Sequence, residues 1–164
     1  MLDAVPTANQ FKYDLAISCL AEDEPRAHRV YETLEHKVPS IFLYTENQKD
    51  AAGKDCAEFF TRTFGNEARV VLVIYRRGWG ETKWTRVEEE AIRRICQAEG
   101  ARRVLVCSLD SCIPDWLPPE ALWRGEDGDS DGLARAVVER IVEHGGRVRG
   151  LATRPMTGGQ DFRD

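Results

Sequence analysis

The sequence has no long hydrophobic run. Its longest unbroken apolar stretch, Val70 to Tyr75, is six residues, where a membrane-spanning helix needs about 20. No membrane partner is therefore expected. The opening residues Met1 to Pro6 carry an acid and a proline where a secretory signal would have basic and then apolar residues, so export is not expected either. Histidine is scarce: His28, His36 and His144 are far apart, and Cys107 and Cys112 lack a second Cys/His pair at zinc spacing, so no metal centre is expected. The five cysteines, Cys19, Cys56, Cys96, Cys107 and Cys112, are odd in number and widely spaced. In 164 residues they form no disulfide framework, which implies reduced thiols and a cytoplasmic location. A basic excess is missing too, since 28 Asp and Glu outnumber 23 Lys and Arg for a net charge of −5. That balance weighs against direct binding of nucleic acid, whose phosphates need a basic face.

Several nucleotide and catalytic motifs are also missing. After the first strand, where a dehydrogenase has G-x-G-x-x-G, the chain reads Ser18-Cys19-Leu20-Ala21-Glu22-Asp23. Gly78-Trp79-Gly80 lacks the third glycine, and Ala52-Gly53-Lys54-Asp55 lacks the first glycine and the Ser/Thr of a phosphate loop. A phosphoacceptor receiver would end its third strand on Asp, where this chain has Tyr75-Arg76-Arg77. Ser18 and Cys19 stand in no G-x-S-x-G turn and have no His in a partner position, so neither reads as a nucleophile.

What remains is enough for one core, with 42% hydrophobic residues and no internal repeat. Tyr13 to Ser18 reads as a strand, and Pro25 beside Glu22, Asp23 and Glu24 opens a helix that ends near Val38-Pro39. Ser40 to Tyr44 predicts a second strand, Thr45 to Lys54 a polar loop, and Cys56, Phe59, Phe60 and Phe64 the inward face of a helix stopping at Gly65. The β-branched run Val70 to Tyr75 predicts a central strand covered on both faces. A helix from Thr85 to Ala98, a strand at Val104 to Cys107 and a last helix carrying Leu133, Val137, Val138 and Ile141 follow. Between the last two, Ser111 to Gly132 predicts a long loop with at most a short edge strand near Leu122-Trp123. This alternation predicts an α/β fold: a flavodoxin-like, doubly wound parallel sheet of four to five strands with helices on both faces. Ligands on such sheets sit beyond the carboxyl ends of the strands. Residues 1–10 read as an N-terminal extension, 11–146 as the domain, and 147–164 as a disordered tail or linker.

The helix after the third strand contains a misplaced carboxylate. At about 100° per residue from Trp84, Ile95 falls near +20°, Glu88 near +40° and Ile92 near +80°, whereas Glu89 and Glu90 point away from this arc. A carboxylate on the buried face must be satisfied. Two readings remain open. In one, Thr85-Arg86-Val87-Glu88 is a capping box, with Glu88 turned back to the amide of Thr85. In the other, Glu88 and the Trp84 indole line a cleft above the third strand. That pair suits a cationic, aromatic sugar nucleotide, the indole as a cation-π face and the carboxylate against a ribose or an oxocarbenium ion.

Three segments together carry a family resemblance: Tyr13 to Ser18 with Glu22-Asp23 behind it, Gly53-Lys54-Asp55 before an aromatic-rich helix, and Trp84-Thr85-Arg86-Val87-Glu88. In this order the chain from Phe11 to about His144 resembles a bacterial Toll/interleukin-1 receptor (TIR) domain. The resemblance implies an NAD⁺ nucleosidase that cleaves the nicotinamide–ribose bond, with Glu88 catalytic and Trp84 beside it. Ser18, Cys19 and Leu20 at the end of the first strand, and Tyr44 to Glu46 at the end of the second, would line the substrate cleft. NAD⁺ would be the substrate and no separate cofactor is implied. It also implies activation by self-association through TIR–TIR contacts, with a fused or separate sensor, in bacterial anti-phage defence. A non-enzymatic TIR adaptor or host-signalling mimic, and an enzyme like a nucleoside 2-deoxyribosyltransferase, are the competing expectations.

Overall fold

The structure is a computed structural model that describes residues 11–48, 52–125 and 128–150. Elements alternate as β1 (Tyr13–Cys19), α1 (Glu24–Leu34), β2 (Ile41–Leu43), α2 (Cys56–Arg62), β3 (Ala68–Tyr75), α3 (Lys83–Glu99), β4 (Val104–Ser108) and α4 (Ser130–Glu143). The four strands form one parallel sheet in the order β2-β1-β3-β4. This is an α/β flavodoxin-like arrangement, with the reversal of strand order at β1 and β3.

Strand β3 explains why the sheet is covered on both faces. Its side chains alternate, Val71 and Val73 entering the apolar layer under α2 and α3, and Val70, Leu72 and Ile74 the layer under α1 and α4. Ala16 of β1 faces the α2 and α3 layer, so Ser18, two residues on, points the same way. That parity aims a hydroxyl at α3.

The predicted fifth strand reduces to a single parallel bridge between Leu122 and Val106, with the Trp123 amide donating to the Val106 carbonyl at 2.8 Å. Helix α1 ends at Leu34, four residues before Val38, and the chain leaves it through a tight turn in which the Lys37 and Val38 amides share the Leu34 carbonyl at 2.9 and 2.8 Å. Strand β2 stops at Leu43, where the Asn47 side chain accepts from the Leu43 amide and folds the chain into a turn. Gly65 does not stop the second helix. A π-helical turn, Thr63–Glu67, runs through it and buries Phe64, and Gly65 packs beside Ala91 of α3 with room for a Cβ, whose position is 3.7 Å from the Ala91 methyl.

Past Gly146 the chain stays packed, which corrects the start of the expected tail. Val148 is buried against the α1 and α4 layer and the Arg149 amide donates to the Lys37 carbonyl at 2.8 Å. The expected extension 1–10 and the tail beyond 150 lie outside the described residues. No helix among the described residues is long and apolar enough to cross a membrane.

Phe42 of β2 centres the aromatic layer beneath the cleft, with ring centroids of Tyr13, Phe59 and Phe64 at 5.3, 5.8 and 5.9 Å. Phe42→Ala is expected to cost about 3–5 kcal/mol in urea unfolding. A loss near zero would mean that the layer re-forms without it.

Candidate functional site

Helix α3 begins two residues earlier than expected, and this decides the role of Glu88. Thr82 is the N-cap, accepting from the Thr85 amide at 3.2 Å, while the Thr85 hydroxyl accepts from the Thr82 amide at 3.2 Å. The capping box is thus Thr82 with Thr85, and the capping reading of Glu88 is overturned. One turn further on, Glu88 points into the molecule, 7% exposed, and accepts from Ser18 Oγ at 2.5 Å.

Ser18 is itself held. The Trp79 indole Nε1 donates to Ser18 Oγ at 2.8 Å, which occupies a lone pair and turns the single hydroxyl proton towards Glu88. Trp79 reaches that position because the turn after β3 takes left-handed backbone at Gly78 (φ 106°) and Gly80 (φ 93°) on either side of it. A side chain at Gly80 would also meet the Glu89 carboxylate at 2.9 Å. The result is a buried relay, Trp79 to Ser18 to Glu88, from three different elements of the sequence.

Burial pushes the Glu88 carboxyl up from 4.5 to about 8, against the single opposing hydrogen bond from Ser18. Burial thus favours the protonated form of Glu88. Burial also pushes the Cys19 thiol up to about 12, with the charges of Glu88, Glu24 and Asp23 adding to it. Cys19 stays a thiol and carries no nucleophilic chemistry.

The cleft opens at the carboxyl ends of β1 and β2, beside the first turns of α3, with a volume of about 290 Å³. Glu88 stands at its base. Phe42, Phe60 and Phe64 form an apolar wall, and Tyr44 and Trp84, both largely exposed, form the rim on either side of Phe60, their rings 5.6 and 5.8 Å from it. Of the residues expected from sequence, Glu88, Cys19, Tyr44 and Trp84 meet in this cleft. Ser18 lies behind it and acts on Glu88. Leu20 and Glu46 do not line the cleft: Leu20 is buried in the core beside Gly78, and Glu46 is exposed in the turn after β2. Ala21, Glu24 and Thr45 line it.

Sequence reasoning missed Trp79, Glu24 and the cap at Thr82. A signal for Trp79 existed in Gly78-Trp79-Gly80, where two glycines free the backbone around one large donor. Among the described residues no group of three or more His, Cys, Asp or Glu could hold a metal ion.

Ser18→Ala removes the one hydrogen bond that favours ionised Glu88, so its carboxyl should rise further above 8. A pH titration of Glu88 by carboxyl NMR should show the upward move, and an unchanged midpoint would break the relay. Compared with protein-family models and with the sequences of curated proteins, the chain matches none, so the chemistry of the cleft is what speaks for its function.

Proposed function

We propose that the cleft binds NAD⁺ and hydrolyses its nicotinamide–ribose bond, as a TIR-type NAD⁺ nucleosidase with Glu88 as the catalytic carboxylate. The observation that carries this is a buried Glu88 at the base of an aromatic-walled cleft, hydrogen-bonded to Ser18, with capping no longer available to explain it. In the reaction the C–N bond breaks with its electron pair going to the ring nitrogen, which turns a pyridinium into neutral nicotinamide. The leaving group needs no general acid. The anomeric carbon takes the oxygen of water, and the water proton leaves to solvent or through Glu88.

The positive charge of the substrate also sets the state of Glu88. A cation about 4 Å away at an effective dielectric of about 20 favours the carboxylate by about 4 kcal/mol. That equals about 3 pK units. The shift offsets what burial imposed, so Glu88 ionises as the pyridinium arrives and can then stabilise the oxocarbenium ion or hold a ribose hydroxyl. A neutral base would leave the carboxyl protonated, which favours a charged substrate over an ordinary nucleoside and so over deoxyribosyl transfer.

Self-association belongs to the same proposal. Tyr44 and Trp84 are 43% and 38% exposed at the cleft mouth, where a second copy would cover them. The setting we propose is bacterial anti-phage defence in the cytoplasm, with a fused or partner sensor that clusters the chain. The test is nicotinamide release from NAD⁺ by the purified chain, free and forced to oligomerise. No release in either state would remove the enzyme and leave an adaptor that docks through this rim.

A further inference from the structure

The charges around the cleft are one-sided. Among the described residues its lining contains two carboxylates, Glu88 and Glu24, and no lysine, arginine or histidine. The three acids that open α1 are also not equivalent. Asp23 is buried and held by the Arg76 guanidinium at 2.6 and 2.9 Å, and Glu22 lies 3.5 Å from the same guanidinium. Glu24, the first residue of α1, has no ion pair among those found in the described residues and lines the cleft. Two basic side chains stand near the rim without lining the cleft: Lys83, with its Nζ 4.7 Å from the Trp84 ring centroid, and His28, whose Nε2 lies 3.0 Å from the hydroxyl of the lining residue Thr45.

Size points the same way. At about 290 Å³ the cleft lies at the lower bound of small-molecule sites, about 300–1,000 Å³. A pyridinium riboside fits a cleft of this size, and the rest of a dinucleotide would extend past its open mouth.

We propose that this cleft selects for positive charge, admitting a pyridinium riboside and keeping phosphate outside, and that Glu24 is the specificity-determining residue. The proposal rests on the reading of the cleft as a pyridinium-glycoside site and names the part of the substrate that the single chain recognises. Physically, Glu24 attracts the cationic ring through the same field that repels a phosphate on the ribose 5′ carbon. For a dinucleotide the diphosphate must then lie beyond the rim, in solvent or against basic groups from elsewhere. A diphosphate site commonly uses free donors at a helix N-terminus or Gly-rich turn; the start of α3 does reach this wall through Thr82 and Thr85, but their hydroxyls are engaged with each other in the capping box. Here the α1 end of the wall presents a carboxylate.

The experiment is calorimetric titration of the purified chain, at low salt, with 1-methylnicotinamide, nicotinamide riboside, nicotinamide mononucleotide and NAD⁺. The two cations without phosphate should bind at least about tenfold more tightly than the mononucleotide, a difference of about 1.4 kcal/mol. Glu24→Gln should shrink that ratio to less than about threefold, and Glu24→Lys should invert it. Thermal melts of both variants check that the fold is kept. Equal affinity for riboside and mononucleotide, or a ratio that Glu24→Gln leaves unchanged, would overturn the proposal. The two proposals fail separately. Cation selectivity without any nicotinamide release would sink the enzyme and keep the selective cleft, whereas NAD⁺ cleavage with no charge preference would do the reverse.

Discussion

Glutamine at position 88 should abolish nicotinamide release from NAD⁺, lowering kcat/KM by at least about 10²–10³-fold, the usual cost of losing one group that meets charge developing in the transition state. The substitution is close in shape. A glutamine carbonyl can still accept from Ser18 Oγ, so the relay from Trp79 survives and the cleft keeps its walls. What disappears is the capacity to become negative as the pyridinium arrives. Affinity for NAD⁺ should fall much less than turnover, because the aromatic rim and Glu24 still meet the cation. Nicotinamide release measured at saturating NAD⁺ separates the two. Turnover by Glu88→Gln within tenfold of the native chain would mean that Glu88 is structural.

The same substitution should stabilise the protein, and by an amount that depends on pH. Glu88 has a folded-state carboxyl raised from 4.5 to about 8, so the folded chain holds a proton that the unfolded chain has lost. The sign follows from linkage: the stabilising proton is fully present in both states below about pH 4.5, and stability drains away as pH rises to about 8. At about 1.36 kcal/mol per pK unit this amounts to about 5 kcal/mol. Glu88→Gln has no proton to lose. Its stability advantage over the native chain should therefore grow between pH 4.5 and 8 and then level off, reaching about 10–20 °C in melting temperature for a domain of this size. Urea melts of both proteins at pH 5 and pH 9 check it. Parallel pH dependence would mean that Glu88 is solvated in the folded state, contrary to its burial. Ionised Glu88 in the empty cleft thus costs stability, and a cation in the cleft gives part of it back, so ligand-induced stabilisation should increase with pH.

The elements were legible where one period dominates. The β-branched run in β3 and the inward stripe of α4 appear in the structure where spacing places them, because burying an apolar face is a local pattern. Boundaries were less legible. Helix α2 passes through Gly65 as a π-helical turn that buries Phe64, so tertiary packing of that ring outweighs the glycine as a stop signal. Angular spacing correctly put Glu88 on the buried face of α3. It could not choose between the two readings left open for that carboxylate, because T-x-x-E is a local match and the true cap lies three residues earlier at Thr82.

By itself the sequence determined the alternation of strands and helices, the two-faced sheet that follows from it, and the presence of one carboxylate on an apolar helix face. Only the tertiary structure decided what that carboxylate touches. Ser18, Trp79 and Glu88 are separated by 61 to 70 positions from one another or brought together across a glycine turn, and no local period links them. The sheet order sets β1 beside β3, the parity of β1 turns Ser18 towards α3, and the turn at Gly78 and Gly80 swings Trp79 beneath it. A hydrogen bond and a low-dielectric surrounding are properties of that assembly, so the raised pKa of Glu88 and the acidic lining of the cleft exist only once the chain has folded.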